Sequence, residues 1–327
     1  FFWGMWNLSP ASFASARELW PGRVVNSFAG YWPIEPDAHA QYWFAQDGSW
    51  LGRQFRRILA PVALSHRYRP VVWPEVRFDH AVFCSQFVLD RLQEGGVVFP
   101  HAKIVFSGID TDRFNPRQAG MPGEPTRLEV VFAGALVNHK GAHVAIEAIR
   151  LLKQQGVSGV HLTIVGRGHP DYRAGLEEQV RDAGLEQDVS FHPAVPRAEM
   201  PALLQRFDVL VLPTLSDEPL SRMVMEGMAC GLVVVASNTG GTPEMIEHGR
   251  DGLLHEPGDS GALAECLVAL VGDAEWRQRL SSAARVTAEA LFDIGRMIDE
   301  METFLMETKA LAASGPSLER VTRDRRS

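Results

Sequence analysis

From about residue 127 onward the chain repeats one pattern of apolar and polar positions. Short β-branched runs (LEVVFAGAL, VHLTIVG, VSFHPAV, VLVLP, VVVAS) alternate with stretches of helical period (AHVAIEAIRLLKQQ, YRAGLEEQVRDAG, RAEMPALLQRF, PLSRMVMEGMAC, SGALAECLVALV), with TPEMIE read as a further short helix. Strands that are apolar throughout, with a helix between each and the next, call for a parallel sheet covered on both faces. A doubly wound α/β domain is therefore expected here.

The first 120 residues follow the pattern more thinly. RVVNSFAG, HAVFCS and AKIVFSG read as strands and SQFVLDRLQEG as a helix, while the Trp- and Pro-rich region 31–73 reads as loops and helices. FFWGMW suits the end of a buried strand, so this first α/β domain is expected to lack its front. NPRQAGMPGEPTR is a Pro/Gly-rich linker, which puts the boundary near 117–126. The expected organisation is a partial domain over 1–120, a complete one over 121–290, a helical segment over 291–311 and a polar, disordered tail over 312–327.

Composition narrows the function classes. At 327 residues, 46% hydrophobic and 22% charged, the chain is ordinary globular material too long for one core. Its formal charge of -8, with Lys and Arg scattered, lacks the basic stripe that nucleic acid requires, so no nucleic-acid partner is expected. Cys84, Cys230 and Cys266 lie far apart in apolar runs, as reduced core thiols do, and no apolar run approaches the roughly 18 residues of a spanning helix. A cytoplasmic location follows, with peripheral membrane contact left open. Neither H-E-x-x-H, paired CxxC, a phosphate-binding G-x-x-x-x-G-K-[ST] nor G-x-S-x-G occurs, so no metal or bound cofactor is expected.

In open α/β sheets, ligands bind beyond the carboxyl ends of the strands. After VLVLP, the turn SDEP with Pro219 at the first helical position places Glu218 just before a helix and Glu226 inside it among Met223, Met225 and Met228. A carboxylate accepts two adjacent hydrogen bonds and so matches a vicinal diol, while the N–H groups of Leu220 and Ser221 suit a phosphate or hydroxyl. The bland alternative, a dipole-complementing Glu and a solvated one, is weakened by the methionines around Glu226. After the first strand of this domain, Gly134 permits close backbone approach and Lys140 offers a point charge to a diphosphate. VGRGHPD gives a tight turn at Gly166 but fails as a dinucleotide fingerprint, because Asp171 occupies the third glycine position. Gly240 and Gly241 precede a short helix and would expose backbone N–H groups there.

Together, GALVNHKG, LTIVGRGHP, FDVLVLPTLSDEPLSRMVMEGMACGLVVVASNTGGTPEMI and GRDGLLHEPGD resemble the donor-binding domain of retaining glycosyltransferases of family 4, and IVFSGIDTDRFNP resembles the end of their first domain. The resemblance covers roughly residues 20–310 and implies the GT-B fold: two Rossmann-like α/β domains, with the segment from 291 packing back on the first. It implies that Glu218 and Glu226 form the E-x7-E motif, Glu218 toward the donor sugar and Glu226 on the ribose diol. Leu220 and Ser221 amides would lie against sugar and diphosphate, and Lys140 would neutralise the leaving diphosphate. Two positions depart from the family pattern. Ala135 stands where many relatives have Arg, with Arg222 the candidate substitute cation, and Ala29–Gly30 stands where many carry a catalytic His, with His39 the nearest alternative.

The expected activity is metal-independent, retaining transfer of a hexose from a UDP- or GDP-sugar to a glycan, lipid-linked or small-molecule acceptor. The alternative is a non-catalytic sugar-nucleotide binding protein.

Overall fold

The computed structural model describes residues 2–3, 16, 18–20, 22–30, 54, 77–117 and 127–314. His39, region 31–73 apart from residue 54, the greater part of the linker and the tail from 315 lie outside the described residues. Contacts group the chain into two compact units: 1–84, 88–105 and 299–327 form the first, and 85–87 with 106–298 the second.

In the first unit, strands β1 (Phe2–Trp3), β2 (Val25–Phe28), β3 (His80–Phe83) and β4 (His101–Ile104) form an all-parallel sheet in that order. Phe28 stacks on Phe83 at 5.0 Å between ring centroids and meets Phe78 edge-on at 5.1 Å, which gives this small sheet an aromatic core. Helix α1 (Gln86–Glu94) buries Val88, Leu89 and Leu92.

The second unit holds a six-stranded sheet, again all parallel. Its strands are β5 (Leu128–Ala133), β6 (Val160–Val165), β7 (Val189–His192), β8 (Val209–Leu212), β9 (Val233–Ser237) and β10 (Leu253–His255). The spatial order is β7-β6-β5-β8-β9-β10. The chain thus winds outward one way from β5, returns, and winds the other way from β8, which makes the gap beyond these two strands the topological switch point.

Alternation along the strands divides the core. Val130 and Phe132 face one cluster with α2 (Ala142–Gln154), α3 (Pro170–Asp182) and α6 (Ser260–Gly272). Val131 and Ala133 face the other, with α4 (Met200–Leu204), α5 (Arg222–Ala229) and α7 (Ala274–Leu291). The pattern of parallel strands with helices on both faces is the α/β architecture expected.

Several details differ from expectation. Residues 106–117 and 291–298 group with the second unit, not the first. Ile109 is the reason: its N–H donates to the Phe292 carbonyl at 2.8 Å, and its own carbonyl accepts from Ile294 N–H at 2.9 Å. The final helix, α8 (Ile294–Ser314), runs past 311 and belongs to the first unit only from Asp299 onward. Helix α7 was not anticipated, and TPEMIE supplies only a three-residue 3-10 turn. Among the described residues no helix is long and apolar enough to cross a membrane.

Candidate functional site

A cleft of about 430 Å³ opens at the switch point, lined by Gly134 and Ala135 just after β5, by Leu212 at the end of β8 and Thr214 just beyond it, and by Lys140, Glu218, Ser221 and Glu226. Lys140 ends a 3-10 turn, Asn138–Lys140, and the next residue, Gly141, is left-handed at φ 74°. A Cβ at Gly141 would sit 1.8 Å from the Pro213 carbonyl oxygen, so only glycine lets the loop after β5 lie this close to the loop after β8. The His139 carbonyl seals that approach, accepting from Leu215 N–H at 2.7 Å and from the Thr214 hydroxyl at 3.0 Å.

Through this stitching Lys140 meets Glu218: its Nζ donates to Glu218 Oε1, and the Thr214 hydroxyl, whose single proton is shared with the His139 carbonyl, lies 3.2 Å from the same oxygen. The side chains are 31% and 20% exposed respectively, so the pair is within reach of an incoming ligand. Behind them, Gly241 N–H donates to the Glu218 carbonyl at 2.8 Å, and the Ser85 hydroxyl to the Pro219 carbonyl at 2.6 Å.

These two bonds correct the expected helix start. A helix begun at Pro219 would need the Glu218 and Pro219 carbonyls for its first turn, but both are engaged elsewhere. Helix α5 therefore begins at Arg222 with Ser221 as N-cap, three residues later. No acceptor for the Leu220 and Ser221 amides is found among the described residues. Ser221 makes no side-chain cap bond either, so the amino end of α5 is left with donors facing the cleft wall.

Glu226 lies one turn into α5 with its side chain 5% exposed. Arg222 Nε donates to Oε1 at 3.1 Å and Arg197 Nη2 to the same oxygen at 3.4 Å. Burial pushes the Glu226 carboxyl above the ordinary range, against the pull of Arg197, Arg222 and Arg113. The site thus assembles three cations and two carboxylates over an apolar floor that includes Val195, Met200 and Met223.

The remaining predicted residues fall elsewhere. Gly166 does not line the cleft; a Cβ there would lie 2.0 Å from the Gly134 carbonyl oxygen, so it allows two strand-end loops to pack. Gly240 and Gly241 sit behind Glu218 and Pro219, whose backbones a Cβ at either glycine would strike, and the Gly241 N–H is spent on holding Glu218 instead of being exposed. Leu220 contributes no lining side chain. Ala29 is exposed and Gly30 half-buried in the first unit.

Two contributors went unread in the sequence. Thr214, directly after VLVLP, stood at a strand end and was findable. Arg197, in PRAEM, reads as an ordinary surface charge at a helix start; only the fold carries it to Glu226.

The amino-acid sequence matches known proteins over the same region. Residues 117–287 match the family described as Glycosyl transferases group 1. The putative colanic acid biosynthesis glycosyltransferase WcaL of Escherichia coli is 37% identical over 200 residues, 59% of this chain and 48% of that protein. The amylovoran biosynthesis glycosyltransferase AmsK of Erwinia amylovora is 38% identical over 168 residues, 50% of this chain and 40% of that protein. The chain spans about half the length of these curated relatives. Among solved structures, Anabaena Alr3699/HepE in complex with UDP and glucose superposes with a TM-score of 0.66 at 23% identity, covering 91% of this chain and 76% of that one. Sucrose-phosphate synthase from Thermosynechococcus elongatus gives 0.69 at 20% identity, covering 94% and 73%. Those structures share the fold, GT-B, and the match across more than half the sequence, centred on the residues that build the cleft, establishes that the chain belongs to the group 1 glycosyl transferases.

Proposed function

We propose that the protein is a retaining glycosyltransferase that moves a hexose from a nucleotide diphosphate sugar, with UDP or GDP as the nucleotide, to a glycan or lipid-linked acceptor, without a metal ion. The observation that carries this reading is the convergence of Lys140, Glu218 and Glu226 with the amino end of α5 in one cleft at the switch point. Each group matches one part of such a donor. The apolar floor suits a base, Glu226 a ribose diol, and the α5 amides and Lys140 a diphosphate, while Glu218 suits sugar hydroxyls.

In the reaction, the acceptor oxygen forms a bond to the anomeric carbon as the bond from that carbon to the diphosphate oxygen breaks. The acceptor proton passes to the departing diphosphate, and the electron pair leaves with it. Negative charge develops on the diphosphate, and a fixed cation with oriented amides stabilises it more in the transition state than in the ground state. Lys140 leaves Glu218 to do this, which also frees Glu218 for the sugar. The names of WcaL and AmsK refer to colanic acid and amylovoran biosynthesis, which supports a polysaccharide intermediate as the acceptor. Cys84, Cys230 and Cys266 form no disulfide with one another, which suits a cytoplasmic setting, with contact to the membrane surface only where a lipid-linked acceptor is presented.

Ala135 on the cleft wall favours one second reading, donor binding without transfer. A transfer assay over UDP- and GDP-sugars with mixed glycan acceptors, run with and without a chelator, separates the two. We expect chelator-resistant turnover that falls about 10²- to 10³-fold in Lys140→Ala and Glu218→Ala. Tight nucleoside diphosphate binding with no turnover on any donor selects the second reading.

A further inference from the structure

Glu226 is the one buried glutamate among the described residues, and the cleft treats its two oxygens unequally. Arg222 and Arg197 both donate to Oε1, and no described group donates to Oε2. Arg222 is a local partner, one turn earlier on the same helix. Arg197 is not: it arrives from the 3-10 turn Arg197–Glu199 after β7 and spans the cleft wall to reach α5.

We propose that Arg197 is a positioning residue for the donor: together with Arg222 it pins Oε1 of Glu226, so that Oε2 is presented as an anionic acceptor to the vicinal diol of the donor ribose. This rests on the donor reading above. The physical need is specific. A carboxylate that accepts hydrogen bonds from a diol must be ionised and held in one rotamer, yet a site this buried favours the neutral acid.

The charged and titratable groups facing Glu226 are few. Arg222 lies on its own helix, Arg197 on the turn after β7 and Arg113 on the segment preceding the linker; all three oppose the burial, Arg197 by its charge and Arg222 by both its charge and its hydrogen bond. Cys230, at the end of α5, is pushed up to about 12 by burial and the Glu226 charge, and stays a neutral thiol at working pH. Lys140 and Glu218 line the same cleft as a mutually neutralised pair. Arg222 and Arg197 are 53% and 57% exposed, so Arg197 can be removed without opening the core.

The consequence has a definite sign. Donor binding that needs ionised Glu226 is lost as pH falls through the Glu226 titration, and removing Arg197 raises that titration further. Loss of binding then begins at a higher pH.

The test is calorimetric binding of UDP and GDP to the full chain from about pH 5 to about pH 9, for the native protein and Arg197→Ala, Arg197→Lys and Glu226→Gln. We expect Arg197→Ala to weaken binding about tenfold near neutrality and to move its acid limb upward by about one pH unit. Arg197→Lys should restore most of both, and Glu226→Gln should weaken binding and abolish the difference between Arg and Ala at 197. Titration of the diphosphate itself is common to all variants and cancels in the comparison. Native affinity in Arg197→Ala, or weaker binding with an unmoved acid limb, overturns the proposal while leaving the donor reading intact. Absence of UDP and GDP binding in the native protein overturns both.

Discussion

Lys140 and Glu218 form an ion pair at the mouth of the cleft, whose lining also carries Arg197, Arg222 and Glu226. An incoming diphosphate therefore competes with a carboxylate for the same ammonium group. It follows that Glu218→Gln, which keeps the shape of the side chain and removes its charge, should bind a nucleoside diphosphate several-fold more tightly, about 3- to 10-fold, with a gain that shrinks as salt is raised. The same variant should transfer sugar at least about 10²-fold more slowly, because the groove for the sugar has lost its anionic acceptor. Weaker nucleoside diphosphate binding in Glu218→Gln, measured by the same calorimetry, would show that the pair does not compete with the ligand. Glu226 carries the opposite cost. Because its carboxyl is more readily protonated in the fold than in the unfolded chain, its contribution to stability is fully present below the ordinary carboxylate range and is lost as pH rises through its raised value. The guanidinium groups of Arg197 and Arg222 oppose that effect of burial. At this scale the sequence was informative where chemistry is local. Glu218 and Lys140 stand in loops that follow strands and Glu226 stands in the helix after one of them, so all three were legible there, whereas Arg197 acquires its role only through a partner 29 positions away.

At the scale of elements, the site depends on two backbone crossings. The 3-10 turn bearing Lys140 is fixed by Gly141, with its positive φ and the Pro213 carbonyl 1.8 Å from where a Cβ would stand. Gly141→Ala combines left-handed strain with a backbone collision, so a loss of about 3 kcal/mol is expected in denaturant unfolding. Nucleoside diphosphate binding should fall with it, since Lys140 can no longer be held beside Glu218. A variant with native stability and native affinity would show that the turn does not set the lysine. The second crossing is the Gly240–Gly241 corner behind Glu218, where the Gly241 N–H takes the Glu218 carbonyl. That bond, with Ser85 on the Pro219 carbonyl, delays α5 to Arg222 and leaves the Leu220 and Ser221 amides free of helix bonding. Local rules placed Pro219 at the first helical position, and they failed because carbonyls needed by the first turn were claimed from distant chain. Helix α7 was missed for a related reason. AEWRQRLSSAARVTAEAL buries only Leu280, Ala284 and Ala288, and so narrow a stripe of mostly small residues gives little apolar signal.

For the molecule as a whole, the β7-β6-β5-β8-β9-β10 order opens the cleft at a single place, between loops that the sheet holds rigidly. A ligand that binds there only in the folded state adds to stability by mass action. A nucleoside diphosphate at 100 times its dissociation constant should add about 2.7 kcal/mol and raise the thermal midpoint by roughly 5–10 °C for a unit of this size. A scanning measurement that shows the same shift with NAD, or none with UDP or GDP, would argue against the donor site. Sequence alone determined the α/β class, the parallel sheet of the second unit, the positions of Lys140 and Glu218 after strands and of Glu226 in the helix that follows, and the family resemblance. These follow from the period of apolar positions and from motifs whose residues are neighbours along the chain. Tertiary structure alone decided that residues 106–117 and 291–298 join the second unit, that the glycine pair supports Glu218 from behind, that α5 starts late, and that Arg197 reaches Glu226. Each of these is a contact between distant segments, set by how the strands order themselves in the sheet, and no local pattern of residues encodes it.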